Sequence, residues 1–334
     1  MKTLHITNGD GAAGIIKASE IPGDVLPWRD PMHHGAFPAD ASLDDLRSIR
    51  AQHLSGPGMS TREIERDFRL RDDHLRASVH YERVILWFEH DLLDQLQILQ
   101  ILDWFTTAEL AATRLELICV NSFPGFPNFR GIGELNPIQM ASLFDRRVQV
   151  SSEMMHLARI GWRSFCSDDP RHLVQFINGD LRLLPFLRDA LSRHLEDYPS
   201  AIDGLTRTER QILSLAKRGV HRPQHLFLQN MEQETALFMG DWPTYAVIET
   251  LCHAGLLTCD PAPFLYRVSS PDKRRAFMDQ SLTLTDKGQK ALAGKLNPTT
   301  VIERDQWLGG VHIQTGQPHW AWDNRKKDLV WHGT

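Results

Sequence analysis

A short apolar run, Val84 to Phe88 (VILWF), stops abruptly at Glu89, His90 and Asp91, and LLDQLQILQILDWF follows at helical spacing. A buried strand that ends in ionisable groups and turns straight into a helix is where open α/β sheets place their ligand sites. The beginning of the chain repeats the arrangement: KTLHIT is strand-like, and Asn8, Gly9 and Asp10 punctuate it before GAAGIIKA. If both strands run parallel in one sheet, the two junctions converge on one edge. They locate a site without naming a reaction.

A chain of 334 residues is long for a single core, so two or three domains are expected. With a formal net charge of −5, the chain is not one coated by nucleic acid, although a local basic patch is compatible with that balance. Cys119, Cys166, Cys252 and Cys259 form no CxxC pair and are expected to be free thiols in a reducing compartment. No apolar run approaches the roughly 18 residues needed to span a bilayer. The chain opens on a strand and not on a charged stretch before an apolar segment, so a cytoplasmic location and no membrane partner are expected.

Strand and helix signals alternate through residues 1–134: Leu4–Thr7, a short strand at Val25–Leu26, a charged helix over Ser60–Arg76, Val84–Phe88, helix Leu92–Phe105 and Leu115–Val120. Ser60 and Glu63 have capping-box spacing. This alternation predicts a mainly parallel sheet covered by helices. The loop after the last strand, NSFPGFPNFRGIGEL, is of the kind that frames a binding crevice. Residues 135–203 become helical, with Asn136 a cap and Pro137 at the first helical position, and predict a helical bridge. In 204–296, Thr206 and Glu209 again have capping-box spacing. Three helices and the strands LLTCD and SLTLT then predict a winged-helix-like unit. Residues 297–334 predict a β-hairpin tail around Gly316–Pro318, whose tryptophans plug a neighbouring core or form a stacking platform.

HITNGDGAAG, LWFEHDLLDQLQIL, GLTRTERQIL and WLGGVHI with HWAWD together resemble a bacterial family filed as domain of unknown function 1835, over most of the length. The resemblance implies an α/β amino-terminal domain and a bacterial source. It implies no activity and no catalytic residue.

Asn8, Gly9 and Asp10 sit between strand and helix, where free N–H groups and the helix dipole favour an anion. GDGAAG is only a partial phosphate loop, Asp10 opposes a phosphate, and plain turn chemistry is the alternative. Arg29 offers a planar fork for carboxylate or phosphate, or else forms a surface pair with Asp30. Glu89, His90 and Asp91 are candidate catalytic groups, because a histidine beside carboxylates suits acid–base work. Against this, Asp91 and Asp94 occupy positions where helix caps favour acids, and His90 has the alternative of satisfying a backbone carbonyl. No HExxH or CxxC motif is present and adjacent His33 and His34 point apart, so no metal site is expected, and no cofactor is specified. Lys273, Arg274 and Arg275 fall in the expected wing loop and suit phosphate contacts, but the expected recognition helix, WPTYAVIETLCHA, carries no Lys or Arg. The sequence therefore favours an enzyme or ligand-binding protein for a small anionic metabolite, phosphorylated or a nucleotide. The alternative is a ligand-sensing regulator whose winged-helix-like unit contacts a protein or, less favoured, DNA.

Overall fold

The computed structural model describes residues 2–56, 59–110, 112–264 and 271–333, the side chains of 271–274 excepted. The chain begins β1 (Thr3–Thr7), α1 (Asp10–Ala18), β2 (Asp24–Pro27), β3 (Gly35–Ala36), α2 (Leu43–Leu54), α3 (Thr61–Ala77), β4 (Arg83–Glu89), α4 (Leu92–Phe105) and β5 (Arg114–Val120), followed by α5 (Pro137–Ser142) and β6 (Val148–Gln149). A five-stranded sheet has the order β2-β1-β4-β5-β6, parallel except for β6. The expected mixed α/β architecture with a mainly parallel amino-terminal sheet is what the chain adopts.

Strand β4 is the middle of this sheet, and Val84 to Phe88 are wholly buried. Val84, Leu86 and Phe88 face a core shared with α4, while Ile85 and Trp87 face the opposite core with Ala12, Ile16, Met140 and Leu143. Burial on both faces is why the run is continuously apolar and does not alternate. Helix α4 is enclosed as well, and its glutamines are consumed internally. Gln97 Nε2 donates to the carbonyls of Trp28 (2.9 Å) and Asp30 (3.1 Å), and Gln100 Oε1 accepts from Trp28 Nε1 at 3.0 Å. These bonds hold the 28–30 segment against the helix, since a buried amide left unbonded costs about 1–3 kcal/mol.

Helices α6 (Ser152–Cys166), α7 (Arg171–Ile177) and α8 (Leu187–Leu195) pack into the same core as α4. The 135–203 segment is thus not purely helical, because β6 within it supplies the antiparallel edge of the sheet. A separate core is built from α9 (Arg207–Lys217), α10 (Pro223–Met231), α11 (Asp241–His253), β7 (Leu257–Asp260), α12 (Pro271–Asp279), β8 (Ser281–Leu284) and α13 (Asp286–Leu292). The ribbon β7–β8 is antiparallel. Lys273, Arg274 and Arg275, expected in a loop, belong to helix α12 instead. Arg275 is exposed, and the side chains of Lys273 and Arg274 lie outside the described residues.

The single tail hairpin is also corrected. Strands β9 (Asp305–Gly309) and β10 (Val311–Gln314) form one antiparallel ribbon, and β11 (His319–Asp323) and β12 (Asp328–His332) form another. The turn at 316–318 joins the two ribbons. β9 pairs in parallel with β3, and Leu308, Val311, Ile313 and Trp322 enter the core of the amino-terminal unit. Of the tail tryptophans Trp322 is the plug, whereas Trp331 is 54% exposed. No helix among the described residues is long and apolar enough to cross a membrane.

Candidate functional site at the sheet edge

Strands β1 and β4 are parallel neighbours with Thr7 opposite Trp87, so the residues that follow them emerge side by side. Asn8 Nδ2 donates to Glu89 Oε1 and to Asp94 Oδ2, both at 3.1 Å. The two junctions therefore meet, as parallel register requires.

Asp91 is the N-cap of α4 and accepts from the Asp94 N–H at 3.1 Å, as its position predicts. Capping is only part of its setting. Glu89, Asp91 and Asp94 each place a carboxylate oxygen within 4.8 Å of the others, and all three are buried. Asp94 Oδ2 also accepts from the Glu89 N–H at 2.6 Å, but its Oδ1 has no hydrogen-bond partner among the described residues. Glu89 Oε1 accepts from the Ile132 N–H at 2.8 Å, and Gln95 Nε2 donates to the Glu89 carbonyl at 2.6 Å. No arginine or lysine among the described residues forms an ion pair with any of the three.

Burial is the main influence on each carboxyl group, and it disfavours the charged form. It raises Glu89, with the Asp91 charge adding to it and the Ile132 and Asn8 donors opposing. It raises Asp91 against the N–H groups of the first helical turn. Asp94 is raised by burial and then by the charges of Asp91 and Glu89. Cys119, whose Sγ donates to the Glu89 carbonyl at 3.3 Å, is raised by burial and is no nucleophile at neutral pH.

Glu89 also lines a cavity of about 220 Å³ with Asn8, Gly9, Gly11, Ala12, Arg130, Gly131, Gly133 and Glu134. One wall is the N-terminus of α1, whose cap Gly9 makes no side-chain bond to it. The opposite wall is the glycine-rich loop after β5. Gly131 is required there: its φ is +152°, and a Cβ on it would collide with the Glu89 carboxylate. Arg130 is exposed and its guanidinium makes no ion pair among the described residues.

Of the sequence candidates, Asn8, Gly9 and Glu89 line this cavity, and Asp91 adjoins it through the carboxylate group. Three others are not brought in. Arg29 pairs bidentately with Asp10 (2.7 and 2.8 Å) and also with Asp67 (3.0 Å), in an exposed group. It does not pair with Asp30, whose carboxylate is buried against Arg50 at 2.8 Å. His90 alternates away from Glu89 along the chain. Its ring packs edge-on to Phe186, half-buried, and burial lowers its pKa. Arg130, Gly131, Glu134 and Asp94 complete the site. The Gly- and Phe-rich loop signalled the first three, whereas Asp94 was legible only as a capping residue. No family model matches the chain, and no curated protein matches it.

Proposed function

We propose that the protein binds a small anionic metabolite, phosphorylated or a nucleotide, at the carboxyl edge of its five-stranded sheet, in the cavity lined by Glu89. The observation that carries this reading is the cavity lined jointly by the α1 N-terminus, Arg130 and Glu89. First-turn N–H groups have no partner inside their helix and stabilise an anion with the dipole behind them. The volume is below the roughly 300 Å³ at which small-molecule pockets begin. The cavity therefore suits the anionic end of a ligand, with the remainder lying over the exposed loop. The proton transfer expected of His90 with Glu89 is not part of this reading, because the His90 ring packs against Phe186.

The test is thermal unfolding with inorganic phosphate, AMP, ribose 5-phosphate and citrate. Phosphorylated ligands are expected to raise Tm in wild type and in Arg29→Ala, and not in Arg130→Ala. No response to any anion, or a response indifferent to Arg130, refutes the reading.

A second reading, a regulator acting through residues 204–296, draws support from three helices followed by an antiparallel two-stranded ribbon and a last helix, α9–α11, β7, β8 and α13, with α12 set between the two strands. Apart from α12, this resembles a winged-helix-like arrangement. The helix in the recognition position, α11, has no Lys or Arg, which favours a protein partner over DNA.

A further inference from the structure

We propose that Glu89, Asp91 and Asp94 form a binding site for one hard divalent cation, Mg²⁺ or Mn²⁺, at the floor of the sheet-edge cavity. The proposal rests on the anionic-ligand reading for its biological use and not for its chemistry. Three carboxylate oxygens are the donor set that hard divalent ions select. Ligands on one such ion, each about 2.0–2.6 Å from it, lie up to about 4–5 Å apart. The three oxygens are within 4.8 Å of one another.

A cluster of acids at a helix start is common without an ion, so a second observation is needed. It is Asp94. The residue is wholly buried, yet its Oδ1 is without a hydrogen-bond partner among the described residues. A carboxylate oxygen kept out of water with nothing donating to it costs several kcal/mol unless a proton or a cation meets it. The positive end of the α4 dipole amounts to about half a charge, too little to balance three carboxylates. Both other residues are held in register by backbone donors: Glu89 by the Ile132 N–H and Asp91 by the Asp94 N–H.

The placement also explains how a pocket lined by Glu89 and Glu134 takes an anion. Glu89 belongs both to the carboxylate cluster and to the cavity wall. A cation held there would share Glu89 with the cavity wall and would offset its charge toward an anionic group near Arg130 and the α1 N-terminus.

The experiment is a titration of the chelator-stripped, full-length chain with Mn²⁺ alone, followed by electron paramagnetic resonance of the free ion, with Mg²⁺ as competitor. One Mn²⁺ per chain, displaced by Mg²⁺, is expected. Asp94→Asn is expected to weaken it by at least about tenfold, the minimum effect seen when even an outer-shell partner is lost, and Asp10→Asn to leave it unchanged. Removing one buried carboxylate should not lower the Tm of the stripped protein. If Asp94→Asn nevertheless fails to fold, Glu89→Gln takes its place with the same expectation. No stoichiometric Mn²⁺ binding by wild type, or unchanged affinity in the folded variant, overturns the proposal. Because no anion is present, this result is separate from the Arg130 test: cation binding without any anion response keeps the metal site and removes the ligand reading.

Discussion

Protonation of buried His194 should destabilise the protein in mild acid. The side chain is 1% exposed, its Nδ1 has no hydrogen-bond partner among the described residues, and its ring packs against Phe165 (5.1 Å) and Tyr198 (6.3 Å). Burial, with a smaller push from the Arg193 charge, lowers its pKa to about 3. The unfolded chain, with an ordinary histidine near 6.5, binds the proton first. A lowered histidine therefore contributes stability that is complete above pH 6.5 and is lost as pH falls from there toward 3. Between pH 7.5 and 5.5 the loss is about 1.4 kcal/mol for one such group. His33, buried with both ring nitrogens unpartnered among the described residues and also lowered to about 3, adds a similar amount. The raised carboxyl groups at the sheet edge run the other way, favouring the folded state as pH falls, so wild type alone cannot isolate the effect. The assay is urea unfolding of wild type and His194→Phe at the two pH values. The variant carries the same carboxyl groups, and any packing cost of its larger ring, about 1–3 kcal/mol, does not vary with pH. Wild type should lose about 1.4 kcal/mol more than the variant on acidification. Parallel losses in the two proteins would show that His194 does not titrate differently in the folded and unfolded chains.

Arg50→Met leaves the buried Asp30 carboxylate with only the more distant Arg71, at 3.9 Å, and should cost about 3–5 kcal/mol in urea unfolding; Arg29→Ala, at an exposed pair, should cost no more than about 1 kcal/mol. Gly131→Ala forces the loop off Glu89 and should lower stability by about 1–3 kcal/mol while abolishing any Tm response to phosphate; a wild-type response from that variant would sink the cavity assignment. Duplex DNA binding, if measurable, should be sequence-independent with a log–log salt slope no steeper than about −3, matching three basic residues. A steep, sequence-selective complex would make the regulator reading the better one.

Much of this molecule is written locally. The Ser60–Glu63 and Thr206–Glu209 capping boxes start α3 and α9, Asn136 caps α5, and Asp91 caps α4. The VILWF run is the buried central strand. These signals act within a few residues and survive any surroundings. Helix α2, with its own Ser42–Asp45 box, carries an equally local signal yet was obscured by its sparse apolar face. The tertiary structure alone decides which distant groups meet. Strand β3 pairs with β9 from near the opposite end of the chain, and β6 closes the sheet with only a two-residue strand, too short for any periodicity to mark. Arg29, free to serve as an anion clamp in the sequence, is claimed by Asp10 and Asp67. Arg130, 41 residues beyond Glu89, lines the same cavity as Glu89 because the loop after β5 folds back over the sheet edge. Spacing makes Asp91 and Asp94 capping residues. Only the enclosure of that helix start, which strips away water and brings Glu89 alongside, turns the same carboxylates into a buried cluster within 4.8 Å of one another.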